Sequence, residues 1–135
     1  MSTKLIASTM LAFMLLTQVI FAADPAPVVN GQQSTAISVS EAQPVFIIKL
    51  ISNPTTGYVW SLRHYDKTLL TAVKHEYHAP KTDLIGAPGY ELWTFRAKPA
   101  AFAVPARTKL SFVYARPWES DQAGSAAEFV VTFQA

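Results

Sequence analysis

The 135-residue chain contains no cysteine. That absence excludes a disulfide framework, a thiol nucleophile, a thiolate metal site and a lipid anchor on an N-terminal cysteine. Charge is scarce and nearly balanced, with 11 basic against 9 acidic residues, and one of the basic ones, Lys4, lies in a segment that reads as removable. Neither nucleic acid nor an anionic membrane is implied as a partner. No internal repeat, low-complexity tract or long amphipathic helical pattern is visible. Also missing are a serine in a nucleophile-elbow setting, a phosphate-cradling loop and paired carboxylates. Neither an enzyme nor a cofactor is expected.

What is present begins with Lys4, a mostly apolar run from Leu5 to Phe21, and the small residues Ala22 and Ala23. This order reads as a signal peptide over residues 1–22, cleaved after Ala22 or Ala23. Ser8, Thr9, Thr17 and Gln18 interrupt the run and no basic stop-transfer cluster follows, which argues against a membrane anchor. Export to a periplasm or a secreted space is the expectation. The remaining 113 residues (23–135) suffice for one domain with one core. Without disulfides, its stability has to come from apolar packing. A monomer is the default.

Residues 23–33, with Pro25, Pro27, Gly31 and two glutamines, read as a flexible lead-in, and the folded domain is expected over 34–135. There, period-two alternation recurs between turn signals. Strands are expected at Ala36 to Ser40, Val45 to Ile51, Tyr58 to Leu62, Val73 to Tyr77, Tyr90 to Ala97, Thr108 to Ala115 and Glu128 to Gln134. Phe46, Ile48 and Leu50 share one face, as do Trp93 with Phe95, Leu110 with Phe112 and Tyr114, and Phe129 with Val131 and Phe133. Residues 65–72 are ambiguous, with a helical turn one option. About seven strands without a long helix predict an all-β, immunoglobulin-like antiparallel β-sandwich. Pro99 and Pro105 cannot donate ladder hydrogen bonds, so Lys98 to Arg107 is expected to cross between the sheets. Trp60 is expected at the sandwich centre.

Three connections carry special sequences. Asn53-Pro54-Thr55-Thr56-Gly57-Tyr58 is a turn built to hold one shape: Pro54 fixes its own φ and biases Asn53 toward extended geometry, Gly57 permits a left-handed step, and the Asn and Thr side chains can bond nearby backbone. By its residues alone it reads as a well-formed, hairpin-like turn. Gly86-Ala87-Pro88-Gly89 leads into Tyr90, and Arg116-Pro117-Trp118 opens the last long connection. In a sandwich of this kind alternate connections emerge at one end, so loops 52–58, 83–90 and 115–119 are expected to be neighbours.

This ordered triplet, N-P-T-T-G-Y, G-x-x-G and R-P-W, resembles the chagasin-like inhibitors of papain-type cysteine proteases across nearly the whole of residues 23–135. The family's middle loop often reads G-x-G-G, whereas Pro88 stands at the third position here and removes an N–H that glycine could donate. The resemblance implies a reversible, competitive inhibitor whose three loops occlude a protease cleft. It places Thr55, Thr56 and Gly57 nearest the enzyme's catalytic Cys-His pair, flanked by Gly86 to Gly89 on one side and by Arg116 and Trp118 on the other. The implied partner is a papain-family cysteine protease, own or foreign.

Two other classes compete. An exported immunoglobulin-like module could use the same loop edge to hold a protein without inhibiting it. A metal enzyme or carrier could be built on His64, His75, Glu76 and His78, but residues 75 and 78 of a strand point to opposite faces and do not converge. No metal ligand set is expected.

Overall fold

The computed structural model describes residues 25–119 and 124–135. The expected leader and its cleavage site lie outside these residues. Eight strands follow in order: β1 (Val28–Asn30), β2 (Ala36–Ser40), β3 (Val45–Ser52), β4 (Val59–His64), β5 (Leu70–His78), β6 (Gly89–Ala97), β7 (Ala106–Ala115) and β8 (Ser125–Gln134). They form two four-stranded sheets, β1-β3-β6-β5 and β2-β8-β7-β4. Alternate residues of each central strand face the interior. Phe46, Ile48 and Leu50 of β3, Phe95 of β6, Leu110 and Phe112 of β7, and Phe129, Val131 and Phe133 of β8 are all buried. This is the immunoglobulin-like sandwich that the alternation predicts.

Phe112, rather than Trp60, occupies its centre. The Phe112 ring meets Trp60, Trp93, Phe95 and Phe129 edge-on, at centroid distances of 5.3–6.5 Å. Trp60 lies one residue from the start of β4, opposite Tyr114, so it seals the end of the core. The reason is register: β4 begins directly after the 53–58 turn, and its second residue cannot reach mid-strand depth.

Two details depart from an antiparallel seven-stranded sandwich. Within the lead-in 23–33, Val28–Asn30 is a strand, parallel to β3 through Ile47–Lys49, and the Ile47 amide donates to Pro27 O at 2.9 Å. The second departure is that β2 runs parallel to the last strand, β8. One N-terminal segment is thus split between the sheets and adds an edge to each, and neither of these two pairs is joined by a hairpin. Three residues among prolines are too few to show a period, which is why β1 is invisible in the pattern.

Elsewhere most boundaries move outward, although the strand expected from Tyr58 starts at Val59. The strand expected from Val73 starts at Leu70, because a bulge between Ala72 and Lys74 breaks the alternation. The last strand starts at Ser125, whose neighbours Ala126 and Ala127 carry too little contrast to register. The segment 98–105 does cross from β6 in one sheet to β7 in the other, with Ala101 buried in its short 3₁₀ turn, Pro99–Phe102.

Candidate functional site

Strand register collects the three special sequences at one end. Ser52, the last residue of β3, pairs with Gly89, the first of β6, so the first and middle loops leave the same edge of one sheet. Val59, the first residue of β4, pairs with Ala115, the last of β7, so the first and third loops meet on the other sheet. Segment 53–58 is therefore a bridge between sheets and not a hairpin turn.

Its shape follows from its residues. Pro54–Thr56 make one 3₁₀ turn, for which the fixed φ of Pro54 is suited, and Gly57 closes it at φ 84° with its N–H on Pro54 O. The Thr56 hydroxyl donates to Asn53 O at 2.7 Å and the Thr55 hydroxyl to Asn53 Oδ1 at 2.6 Å. Thr55 and Thr56 are exposed at the tip, and Tyr58 is half-buried.

The third loop packs on this turn. Arg116 Nε donates to Thr56 O at 3.1 Å, its guanidinium carbon lies 4.7 Å from the Tyr58 ring centroid, and Nη1 is 3.3 Å from Glu119 Oε1. Glu119 in turn closes the Arg116–Glu119 turn by donating its N–H to Arg116 O. Pro117 is exposed, and so is Trp118, at 74%. The rim of the Trp118 indole nonetheless comes within 2.9 Å of where a Cβ on Gly57 would sit. At this position the left-handed backbone favours glycine, and a Cβ would in addition make the exposed indole shift. In the free protein the partners of the Arg116 guanidinium are thus Thr56, Tyr58 and Glu119.

The middle loop is built differently. Gly86, at φ 81°, stands in open space, and Leu84, Ile85 and Pro88 are exposed while Ala87 is half-buried. Its internal hydrogen bonds are Ala87 N–H to Leu84 O and Leu84 N–H to the Thr82 hydroxyl, both 3.2 Å. Only its base is tight. Gly89 and Tyr90 belong to β6, and a Cβ on Gly89 would lie 2.3 Å from His78 O. Two residues farther in, the buried Glu91 carboxylate pairs with His75 Nε2 at 2.9 Å, and the imidazole stacks on Trp93 with centroids 3.8 Å apart. The other oxygen, Glu91 Oε2, has no hydrogen-bond partner among the described residues.

The histidines do not gather. His75 faces Trp93, His78 stacks on Tyr90 three register positions farther along, and His64 ends β4 at the far end of the sandwich. Among the described residues no group of three potential ligands could hold a metal ion. Two residues that the sequence pattern does not single out belong to this end. Tyr114 accepts the Asn53 N–H on its hydroxyl at 3.0 Å, and Glu91 underlies the middle loop. Tyr114 reads simply as a core aromatic of β7, and a buried acid has no local signature.

A family model, described as "Chagasin family peptidase inhibitor I42", matches residues 40–133. The chain belongs to the chagasin family. It is accordingly an inhibitor of cysteine proteases and not an enzyme. Similar solved structures include the cysteine protease inhibitor EhICP2 from Entamoeba histolytica, with a TM-score of 0.63 and 19% identity over 81% of this chain and 96% of that one. Amebosin gives a TM-score of 0.60 and 23% identity over 82% and 99%. Both support the sandwich fold. No curated protein matches this chagasin-family chain in sequence.

Proposed function

We propose that this end of the sandwich enters the active-site cleft of a papain-type cysteine protease and blocks it reversibly, in competition with substrate. Thr55, Thr56 and Gly57 lie over the catalytic cysteine. The backbone of Gly86, Ala87 and Pro88 runs along one wall as an added strand would, anchored by the buried Gly89 at its base, and Trp118 presses on the other wall while Arg116 and Pro117 support it. Asn53, Pro54 and Tyr58 set the shape of the turn. The observation that carries this assignment is the locking of the first loop onto the third, through Arg116 to Thr56 and Gly57 against Trp118, which leaves two small exposed threonines on a rigid tip. A loop already ordered loses little entropy on binding. Three neighbouring loops can cover a protease–inhibitor footprint of roughly 1,600 Å². The fold-related Entamoeba histolytica protein is itself a cysteine protease inhibitor, which supports the same class of target.

The inhibitor acts outside the cytoplasm in this proposal, after removal of residues 1–22. The apolar run and the Ala22-Ala23 pair support that, and N-terminal sequencing of the protein from fractionated cells tests it. For inhibition, papain is titrated with purified protein at several substrate concentrations and the inhibitor is followed on a gel. Expected are inhibition relieved by substrate and an intact inhibitor band. Full papain activity at micromolar inhibitor excludes the proposal, and rapid proteolysis would identify a mere substrate. Thr56→Arg is expected to weaken inhibition far more than unfolding stability, since the Thr56 side chain is exposed and gives up a single hydrogen bond, to Asn53 O.

A further inference from the structure

Three backbone groups in or beside the first loop are held by side chains from the opposite sheet. The Trp60 indole N–H donates to Ile51 O at 2.8 Å, the Tyr114 hydroxyl accepts from Asn53 N–H at 3.0 Å, and Arg116 Nε donates to Thr56 O at 3.1 Å. The first two contacts anchor the strand end. The third lies at the tip and fixes the carbonyl of the peptide bond between Thr56 and Gly57, in the stretch proposed to face the protease's cysteine.

Arg116 is itself held on two further sides. Its guanidinium lies over Tyr58, Tyr58 packs on Tyr114 with centroids 5.4 Å apart, Tyr114 stacks on Trp60 at 4.9 Å, and Glu119 takes Nη1. Tyr114 is the penultimate residue of β7, and Arg116 follows directly after the strand ends at Ala115. A cation fixed between an aromatic face and a carboxylate has little freedom to release the carbonyl it donates to.

A cysteine protease cleaves by attack of its thiolate on a carbonyl carbon while the enzyme's own donors receive the developing oxyanion. A carbonyl turned into the inhibitor and bonded there is not delivered to those donors. We infer that Arg116, seated by Tyr58 and Glu119, is a positioning residue that keeps the Thr56 carbonyl turned away from the protease, and that this contact is what keeps the inhibitor uncleaved. With the contact removed, the turn becomes a substrate. The thiolate adds to the Thr56 carbonyl carbon, the Thr56–Gly57 bond breaks as the Gly57 amine leaves with a proton, and water hydrolyses the resulting thioester to restore the thiol.

This inference rests on the proposed function, and its test separates the two. Arg116→Met keeps a long side chain over Tyr58 but removes the donor. Purified wild-type and variant proteins are incubated with equimolar papain, cleavage sites and rates are read by mass spectrometry, and inhibition and thermal unfolding are measured in parallel. Arg116→Met is expected to be cut between Thr56 and Gly57 about 100-fold faster than wild type and to inhibit about tenfold less well, with its unfolding temperature nearly unchanged. Glu119→Ala, which releases Nη1, moves both readouts the same way by less. Should Arg116→Met not fold, Arg116→Leu, which also carries no donor for the Thr56 carbonyl, makes the same discrimination. An inhibiting wild type together with an uncut variant overturns the inference alone. So does cutting at scattered sites in step with a fall in unfolding temperature, the mark of a merely structural role. A wild type that leaves papain fully active removes the function proposed above and the inference with it.

Discussion

Two glycines of this inhibitor share a backbone conformation and nothing else. Gly57 and Gly86 lie at φ 84° and 81°, one on the first loop and one on the middle loop. Around Gly57 the indole of Trp118 and the Arg116 side chain close in, whereas nothing stands within 4 Å of a Cβ on Gly86. The first and third loops thus form one braced unit, joined through Arg116 to Thr56. The middle loop is a tether with a firm base at Gly89 and Glu91 and an open, apolar tip at Leu84 and Ile85. A braced loop contributes affinity through order already in place, and an open one through contacts that order only in the complex. The difference teaches that resistance to cleavage belongs to the braced pair, while the middle loop is free to adapt to a partner's surface.

Substitutions that compare the loops should rank accordingly. The largest effect is expected from Gly57→Ala, which meets both the left-handed backbone penalty and the Trp118 ring; inhibition of papain should weaken by about 100-fold or more. An inhibition constant within threefold of wild type would show that the indole moves aside and that the pair is not braced. Next comes Trp118→Ala. Removing an exposed aromatic anchor should cost about 2 kcal/mol of binding while the unfolding temperature stays put, as calorimetry of the complex and of the free protein can decide. Gly86→Ala meets only the backbone penalty, about 1–2 kcal/mol, in a loop able to relax. Its inhibition constant should therefore rise less than that of Gly57→Ala, and equal losses in the two variants would erase the contrast between the loops.

The smallest effect lies at the far end, in the 65–69 connection. The Asp66 carboxyl is held below its ordinary pKa, first by the Thr68 hydroxyl and then by the Thr68 N–H, both of which donate to its Oδ1. A depressed carboxyl stabilises the fold above its unfolded-state pKa, and that contribution is lost as pH falls through the lower folded value. Asp66→Asn should slightly flatten the acid limb of the stability profile and leave inhibition untouched. A change in papain inhibition would mean that the two ends of the sandwich communicate.

The strands were legible wherever large side chains alternate, as in Phe46-Ile48-Leu50 and Phe129-Val131-Phe133. They were not where the contrast fails: three residues of β1 among prolines, the alanines that open β8, and the bulge at Val73. The site was legible as motifs, because Pro54, Gly57, Pro117 and Trp118 are unusual residues in unusual order. It was not legible as a network. Tyr114 looks like any core aromatic until its hydroxyl is found on the Asn53 amide, and Glu91 carries no sign that it is buried against His75.

The sequence by itself determined the alternation that makes two sheets, the stiffness of the Asn53 to Tyr58 turn and the order of the three loops. All of these are local, set by side-chain size, backbone freedom and spacing along a few residues. Tertiary structure alone decided that Phe112 and not Trp60 fills the centre, that the first segment joins both sheets in parallel, and that the Arg116 guanidinium turns inward onto Thr56. Those depend on register and close approach between residues some sixty positions apart, and no local pattern encodes which distant carbonyl a guanidinium will meet.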